Sequence, residues 1–220
     1  MRKLSGSFIA LILMAVFAGC ACAQESFTLK IGCVLDTQHP VLFGLRRMAE
    51  VAESESAGRL KLNIYPSSQL GGQREVLQNV QAGVVDGLVE ATATLTNFVP
   101  QLGVVDLPYL AKDEATAFRM FDSPVFEMLA NTLFLSERLW QRLPDDLKAI
   151  IRKASAEGRK TVVAERAARN AKVMDEIRAA GAAITQPDLT PFIAVGQQTY
   201  QELAQRLGPD LVDRIVGATK

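Results

Sequence analysis

The sequence predicts an α/β fold, with a parallel sheet and flanking helices in its first half and one very long helix in its second. Three observations predict it. Short apolar runs of strand length alternate with stretches of helical period between residues 29 and 90. The connections between the runs are long enough for right-handed crossovers, which set successive strands parallel with helices against the sheet. After Pro144, no proline interrupts a helical pattern that continues to Ala180.

Leu29 to Leu35 is a compact apolar run bounded by Asp36, His39 and Pro40, as expected of a buried parallel strand. Leu45, Met48, Ala49, Val51 and Ala52 then recur at helical spacing opposite Arg46, Arg47 and Glu50, until Gly58 ends the run. Leu60 to Tyr65 alternates as a second strand and Pro66 closes it. Beyond the turn from Ser67 to Gly72, a helix is expected from Gln73 to Gln81, with Val76, Leu77 and Val80 on one side and Gly83 as its C-cap. Val84 to Glu90 reads as the third strand and leads into Ala91–Thr94. In sheets of this kind, ligands sit at the carboxyl ends of the strands.

In the second half, Ser136 caps a short helix that runs to Leu143. Pro144 opens the long helix, with Asp145 and Asp146 at the positive end of its dipole, and Gly181 stops it. Leu147, Ile150, Ile151, Ala154, Val162, Ala171, Met174 and Ile177 form a broken apolar stripe along it, which predicts a strut spanning more than one packing surface. Ala183 to Thr185 is a short extended piece, Pro187 and Pro191 bracket a turn, and a last helix runs from Phe192 to Leu207. Strand-forming residues are expected in the first half alone.

At the amino end, Arg2 and Lys3 precede an apolar run from Phe8 to Phe17 and small residues ending at Ala23. This pattern is a secretory signal peptide, read as residues 1–23. Its apolar run is far shorter than the roughly 20 residues of a permanent membrane helix. Phe17-Ala18-Gly19-Cys20 approximates a lipoprotein box, but Phe17 stands where an aliphatic residue is usual, so cleavage after Ala23 is preferred to lipid anchoring through Cys20. On that reading Cys33 alone enters an oxidising compartment and no internal disulfide forms. Lys+Arg and Asp+Glu are both 24, so no overall field favours nucleic acid or an acidic membrane surface, and the expected partner is small or a protein.

The chemistry-bearing residues are sparse. His39 is the single histidine, no cysteine cluster survives cleavage, and Gly-x-Ser-x-Gly is absent. No catalytic residue, metal site or cofactor is therefore expected, and the chain does not read as an enzyme. Gly71-Gly72 precedes a helix but lacks a phosphate-loop lysine, so it reads as a flexible turn. Asp86 and Glu90 lie at opposite ends of one strand, too far apart for an acid/base pair. Asp86 reads as a solvated residue at the strand start. Glu90 falls at the carboxyl edge, either in a cleft or as an exposed loop glutamate. His39, in the loop after the first strand, points to the same edge. The ligand-binding candidates are His39, Glu90 and Thr92.

Specific segments also resemble a known family. Tyr65 to Gly71, Arg74-Glu75 and Gly83 to Asp86 are similar to the strand–turn–helix signature of the solute-binding proteins of tripartite ATP-independent periplasmic (TRAP) transporters, the DctP family. Asp106 to Leu110, Leu135 to Pro144 and Ile184 to Leu189 resemble later motifs of that family. The resemblance implies a type II periplasmic-binding-protein-like fold. It further implies capture of a small carboxylate, a C4-dicarboxylate or a related organic acid, in the periplasm, for delivery to the small and large membrane subunits of a TRAP permease. His39 and Glu90 to Thr92 would then line the surviving side of the cleft.

Family members carry a large central block that supplies most of the second lobe, including an arginine that pairs with the ligand carboxylate. Here Phe126 to Leu133 reads as the end of the first block, and Phe134 to Ser136 already belong to the last. The second lobe is thus expected to be largely missing. The expected organisation is a signal peptide at 1–23, an N-terminal α/β lobe at 24–133, and a helical C-terminal segment at 134–220 whose strut packs on the lobe. The alternative is an internally deleted, non-binding remnant, which would expose an apolar face where the second lobe packs.

Overall fold

The structure, a computed structural model, describes residues 24–96, 100–111, 116, 133–185 and 187–218. The expected signal peptide, and the end of the first block up to Thr132, lie outside the described residues. The first five elements follow in the expected order: β1 (Phe27–Cys33), α1 (Pro40–Glu55), β2 (Leu60–Tyr65), α2 (Gln73–Gln81) and β3 (Gly87–Val89). They build a sheet of order β2-β1-β3-β4, in which β1 pairs parallel with both β2 and β3.

The sheet is mixed, not purely parallel as the sequence predicts. Its fourth strand, β4 (Leu133–Leu135), comes from the second half of the chain and runs antiparallel to β3, with Phe134 opposite Leu88. Three residues are too few to show a period, so only pairing with β3 makes this run a strand. β3 is itself shorter than expected, because Val84 and Val85 both turn their N–H groups onto the Asn79 carbonyl, at 2.9 and 3.2 Å. Asp86 also departs from the solvated role expected of it. Its Oδ2 accepts from the Lys30 N–H at 2.8 Å, and its carbonyl accepts from the Ser136 N–H at 2.8 Å, so it ties β1, β3 and β4 together.

Alternation along β1 covers both faces of the sheet. Phe27, Leu29, Ile31 and Cys33 join Leu42, Leu45, Met48, Val51 and Ala52 of α1 in the main core. On the other face Gly32 meets α2, where a Cβ would come within 2.6 Å of Val76 Cγ1. Val76, Val80, Val85 and Leu88 form a smaller cluster there. Helix α1 begins at Pro40, ahead of the periodic residues that reveal it, because His39 caps it with Pro40 in its first turn.

The second half contains α4 (Glu137–Arg142), α5 (Asp145–Ala179), α6 (Thr190–Leu207) and α7 (Pro209–Ala218), after the short α3 (Thr92–Leu95) and a 3-10 helix (Pro100–Asp106). Ser136 Oγ accepts from the Leu139 N–H at 3.2 Å, which makes the expected cap of α4. At 35 residues α5 is about 50 Å long, given a rise near 1.5 Å per residue. Its first half lies against α1, and the two backbones touch where Gly44 faces Gly158. A Cβ on either glycine would come within 2.6 Å of the other's carbonyl oxygen.

The long helix uses its expected stripe only in part. Leu147, Ile151 and Ala154 of that stripe are buried, Ile150, Val162 and Met174 are half-buried, and Ala171 and Ile177 are exposed. Helix α7 was not foreseen in the sequence. Gly208, at φ 99°, breaks the pattern after Leu207, and α7 folds back so that Val212 and Ile215 bury against Leu95, Leu102, Val104, Leu107 and Leu110. Helix α6 is docked on the same segment by Tyr200, whose hydroxyl donates to the Pro108 carbonyl at 2.9 Å.

A methyl at Gly44 or Gly158 forces the α1–α5 crossing apart, which costs about 1–3 kcal/mol and exceeds the gain of about 1 kcal/mol from replacing a helical glycine. Gly44→Ala and Gly158→Ala should therefore lower the melting temperature, while Gly217→Ala, where a Cβ meets nothing within 4 Å, should leave it level or higher. At the start of α5, the Asp146 carboxyl is held below its ordinary value of 3.8, chiefly by a hydrogen bond from Arg59. A depressed folded-state value means that this contribution to stability is complete above the ordinary value and lost as pH falls through the lowered one. A carboxyl-carbon NMR titration should place the Asp146 midpoint below 3.8, and Arg59→Gln should move it back up.

Candidate ligand-binding site at the strand ends

The carboxyl end of β1 is closed by the turn that follows β2. Ser67 donates its N–H to the Leu35 carbonyl at 2.8 Å, and Ser68 donates to Cys33 at 3.1 Å. Both serines take left-handed backbone, at φ 52° and 60°, and Gly71 follows at φ 105°. This winding starts α2 at Gln73, beside the end of β3. The Gly71-Gly72 step does not offer its helix N-terminus openly, because the Glu75 side chain of the first turn lies against Gly71. The Glu75 carboxylate thus brings the chain's own negative charge to the positive end of the α2 dipole.

A depression at the strand ends is lined by Gly32, Cys33, Val34, Gln73, Val89 and Glu90. It has no room for a water-sized sphere. A roomier hollow of about 390 Å³ lies elsewhere, beside the amino end of β3, between Val80, Gly83, Leu135 and Arg138. It gathers none of the sequence-predicted site residues.

Glu90 is 7% exposed, which overturns the exposed-loop alternative for this residue. Its Oε1 accepts from Gln73 Nε2 at 3.0 Å, from the Ala91 N–H at 2.8 Å and from Thr94 Oγ1 at 3.3 Å. These three donors are uncharged. They hold the carboxylate in place by hydrogen bonds that bring no counter-charge of their own. Cys33 lies in the same depression, and burial pushes its thiol above its ordinary value. A hydrogen bond from the Leu35 backbone partly offsets that rise, and the charge of Glu90 adds to it.

His39 stands apart from this group and is not among the lining residues. Half-buried, it caps α1 through Nδ1, which accepts from the Val41 N–H at 3.3 Å. An accepting Nδ1 leaves the ring proton of neutral histidine on Nε2, as a donor. The loop before it is tightly tied. Asp36 Oδ1 accepts from the Gln38 N–H at 2.7 Å, Arg46 donates to the Thr37 carbonyl at 3.3 Å, and Arg169 of α5 donates to the Gln38 carbonyl at 2.7 Å. Thr92 begins α3, and its side chain lies outside the described residues. Sequence reasoning missed Gln73 and Thr94. Thr94 stands four positions after Glu90 and could have been suspected, but Gln73 is seventeen positions before it and reaches it only through the fold.

The family described as "Bacterial extracellular solute-binding protein, family 7" (DctP) matches residues 31–134 and 128–207. The chain belongs to this family. The two matched segments of the family 7 chain meet at residues 128–134, where the sequence places the junction between its blocks. Over 112 residues it is 31% identical to the sialic acid-binding periplasmic protein SiaP of Vibrio cholerae, covering 51% of this chain and 35% of that protein. Over 133 residues it is 26% identical to the C4-dicarboxylate-binding periplasmic protein DctP of Rhodobacter capsulatus, covering 60% of this chain and 40% of that one. The chain thus spans well under half the length of these relatives. A TRAP periplasmic solute-binding protein from Ochrobactrum anthropi superposes with a TM-score of 0.77 at 18% identity, over 89% of this chain and 95% of the other. The fold is that of the TRAP periplasmic binding proteins.

The Glu90 cluster predicts unequal costs for two substitutions. Glu90→Ala leaves the Gln73 amide, the Ala91 N–H and the Thr94 hydroxyl without their acceptor, and should destabilise by about 1–3 kcal/mol in urea unfolding. Glu90→Gln keeps an acceptor oxygen at the same place and should cost clearly less.

Proposed function

We propose that this family 7 chain is a periplasmic solute-capture component of a TRAP transporter, which holds a small organic acid and passes it to the small and large membrane subunits without chemical change. The observation that carries the reading is the family match on both sides of the junction, at 31–134 and 128–207, around a sheet whose carboxyl edge holds a buried carboxylate. Export through the signal at 1–23, an α/β lobe at 24–133 and a strut segment at 134–220 complete the reading.

The chemistry of Glu90 bears on the ligand class. A buried carboxylate held, among the described residues, by three neutral donors repels a second carboxylate and favours a hydroxyl or ammonium group that brings its own proton. We therefore favour a hydroxylated acid, the chemistry of the sialic acid named for SiaP, over the plain C4-dicarboxylate named for DctP. Glu90 would accept from a ligand hydroxyl, His39 Nε2–H would donate to a ligand oxygen, and Thr92 would complete the rim.

A second reading, an internally deleted and non-binding remnant, is favoured by other observations. The two family segments abut, the depression at the strand ends has no room for a water-sized sphere, and Val173, Ile177, Phe192 and Val195 are exposed. Thermal unfolding against sialic acid, galactonate and succinate separates the readings. Capture predicts that a hydroxylated acid at a hundred times its Kd stabilises by about 2.7 kcal/mol, a rise of roughly 5–10 °C for a chain of this size. Succinate should do less, and Glu90→Gln should shrink the response. A cooperative melt that no acid moves would leave the remnant reading standing.

A further inference from the structure

We propose that Arg169, on the second half of α5, is a positioning residue for the loop Asp36–His39, and so acts on the candidate site through that loop. The inference rests on the reading above in one respect: that this loop borders the ligand. Its own support is geometric. Arg169 is exposed and 131 positions from Gln38, yet its guanidinium donates to the Gln38 carbonyl at 2.7 Å. Beyond Val162 the side chains of α5 are exposed, apart from the half-buried Val163 and Met174, so an exposed arginine joins this stretch of helix to the loop.

The loop has the build of a part that is held and not merely closed. Asp36 accepts from the N–H of Gln38 at 2.7 Å, and the Asp36 carbonyl accepts from the N–H of His39 at 3.1 Å. Arg46 of α1 takes the Thr37 carbonyl at 3.3 Å, the neighbour of the carbonyl that Arg169 takes. Two cations from two helices thus fix two consecutive carbonyls just before His39. Arg46 is steadied against the Phe43 ring, at 5.6 Å from its centroid, and belongs to the helix the loop leads into. Arg169 does not belong to that helix. It sets the loop against the strut, and with it the direction in which His39 presents Nε2.

Because His39 is the single histidine, its ring signals report on the loop directly in protein purified without a histidine tag. Arg169→Ala should raise amide exchange across residues 36–42 by about ten-fold, the scale of one lost charge-assisted hydrogen bond, while the melting temperature moves by less than about 2 °C. The ring nitrogen shifts of neutral His39 should move from a single tautomer toward an average. Arg169→Lys should restore most of the protection, since one donor suffices for one carbonyl. Unchanged exchange at 36–42 in Arg169→Ala, or exchange that rises equally throughout α1 and α5, would overturn the proposal. Galactonate binding, read on the same variants, distinguishes this from the failure of the reading beneath it. A loosened loop with unaltered galactonate binding supports the positioning role and removes the loop from the ligand site. A loosened loop with weakened binding supports both.

Discussion

The structure turns on the contact between Gly44 and Gly158. A sheet face of this width needs a helical layer, and α1 alone covers only part of it. The long helix adds Leu147, Ile151 and Ala154 to the same core, but only by lying backbone to backbone on α1. Any side chain at the crossing would hold the two helices apart and open voids in a layer that is otherwise close-packed. Two residues of no apolar area therefore govern how much apolar area the rest can bury.

Most of the scaffold was legible in the sequence, for reasons that particular residues make plain. The alternation of Leu60 to Tyr65, the proline-free run after Pro144 and the cap at Ser136 are local signals, and the elements they predict stand where expected. β4 was not legible, because Leu133–Leu135 becomes a strand only by pairing with β3, and Asp86 could not be read as its clamp without that pairing. Helix α7 was lost behind Gly208, a glycine that ends one helix and allows the next to fold back. The beginning of α1 at Pro40 was not legible ahead of its periodic residues, since His39 is not among the common capping types.

The candidate site was legible in position and not in composition. The rule that ligands meet parallel sheets at their carboxyl ends selects Glu90 from sequence order alone. Nothing in the sequence joins Glu90 to Gln73, because their contact is made by the winding of Ser67, Ser68 and Gly71, three departures from ordinary backbone within five residues. His39 illustrates the opposite limit. Its place in the loop after β1 was correctly read, but its ring is engaged at Nδ1 in holding the first turn of α1.

The uneven burial of α5 has a mechanical meaning. The helix is a beam clamped along its first half, at the glycine crossing, and propped farther out at Arg169. Such a beam deflects least at the clamp and more with distance along the free arm. A small bend of the outer half would leave Gly158 and the core where they are, yet would be felt at the prop. Gln38 sits at that prop. The end of the sheet can thus register the attitude of a distant arm while the folded core remains unaware of it.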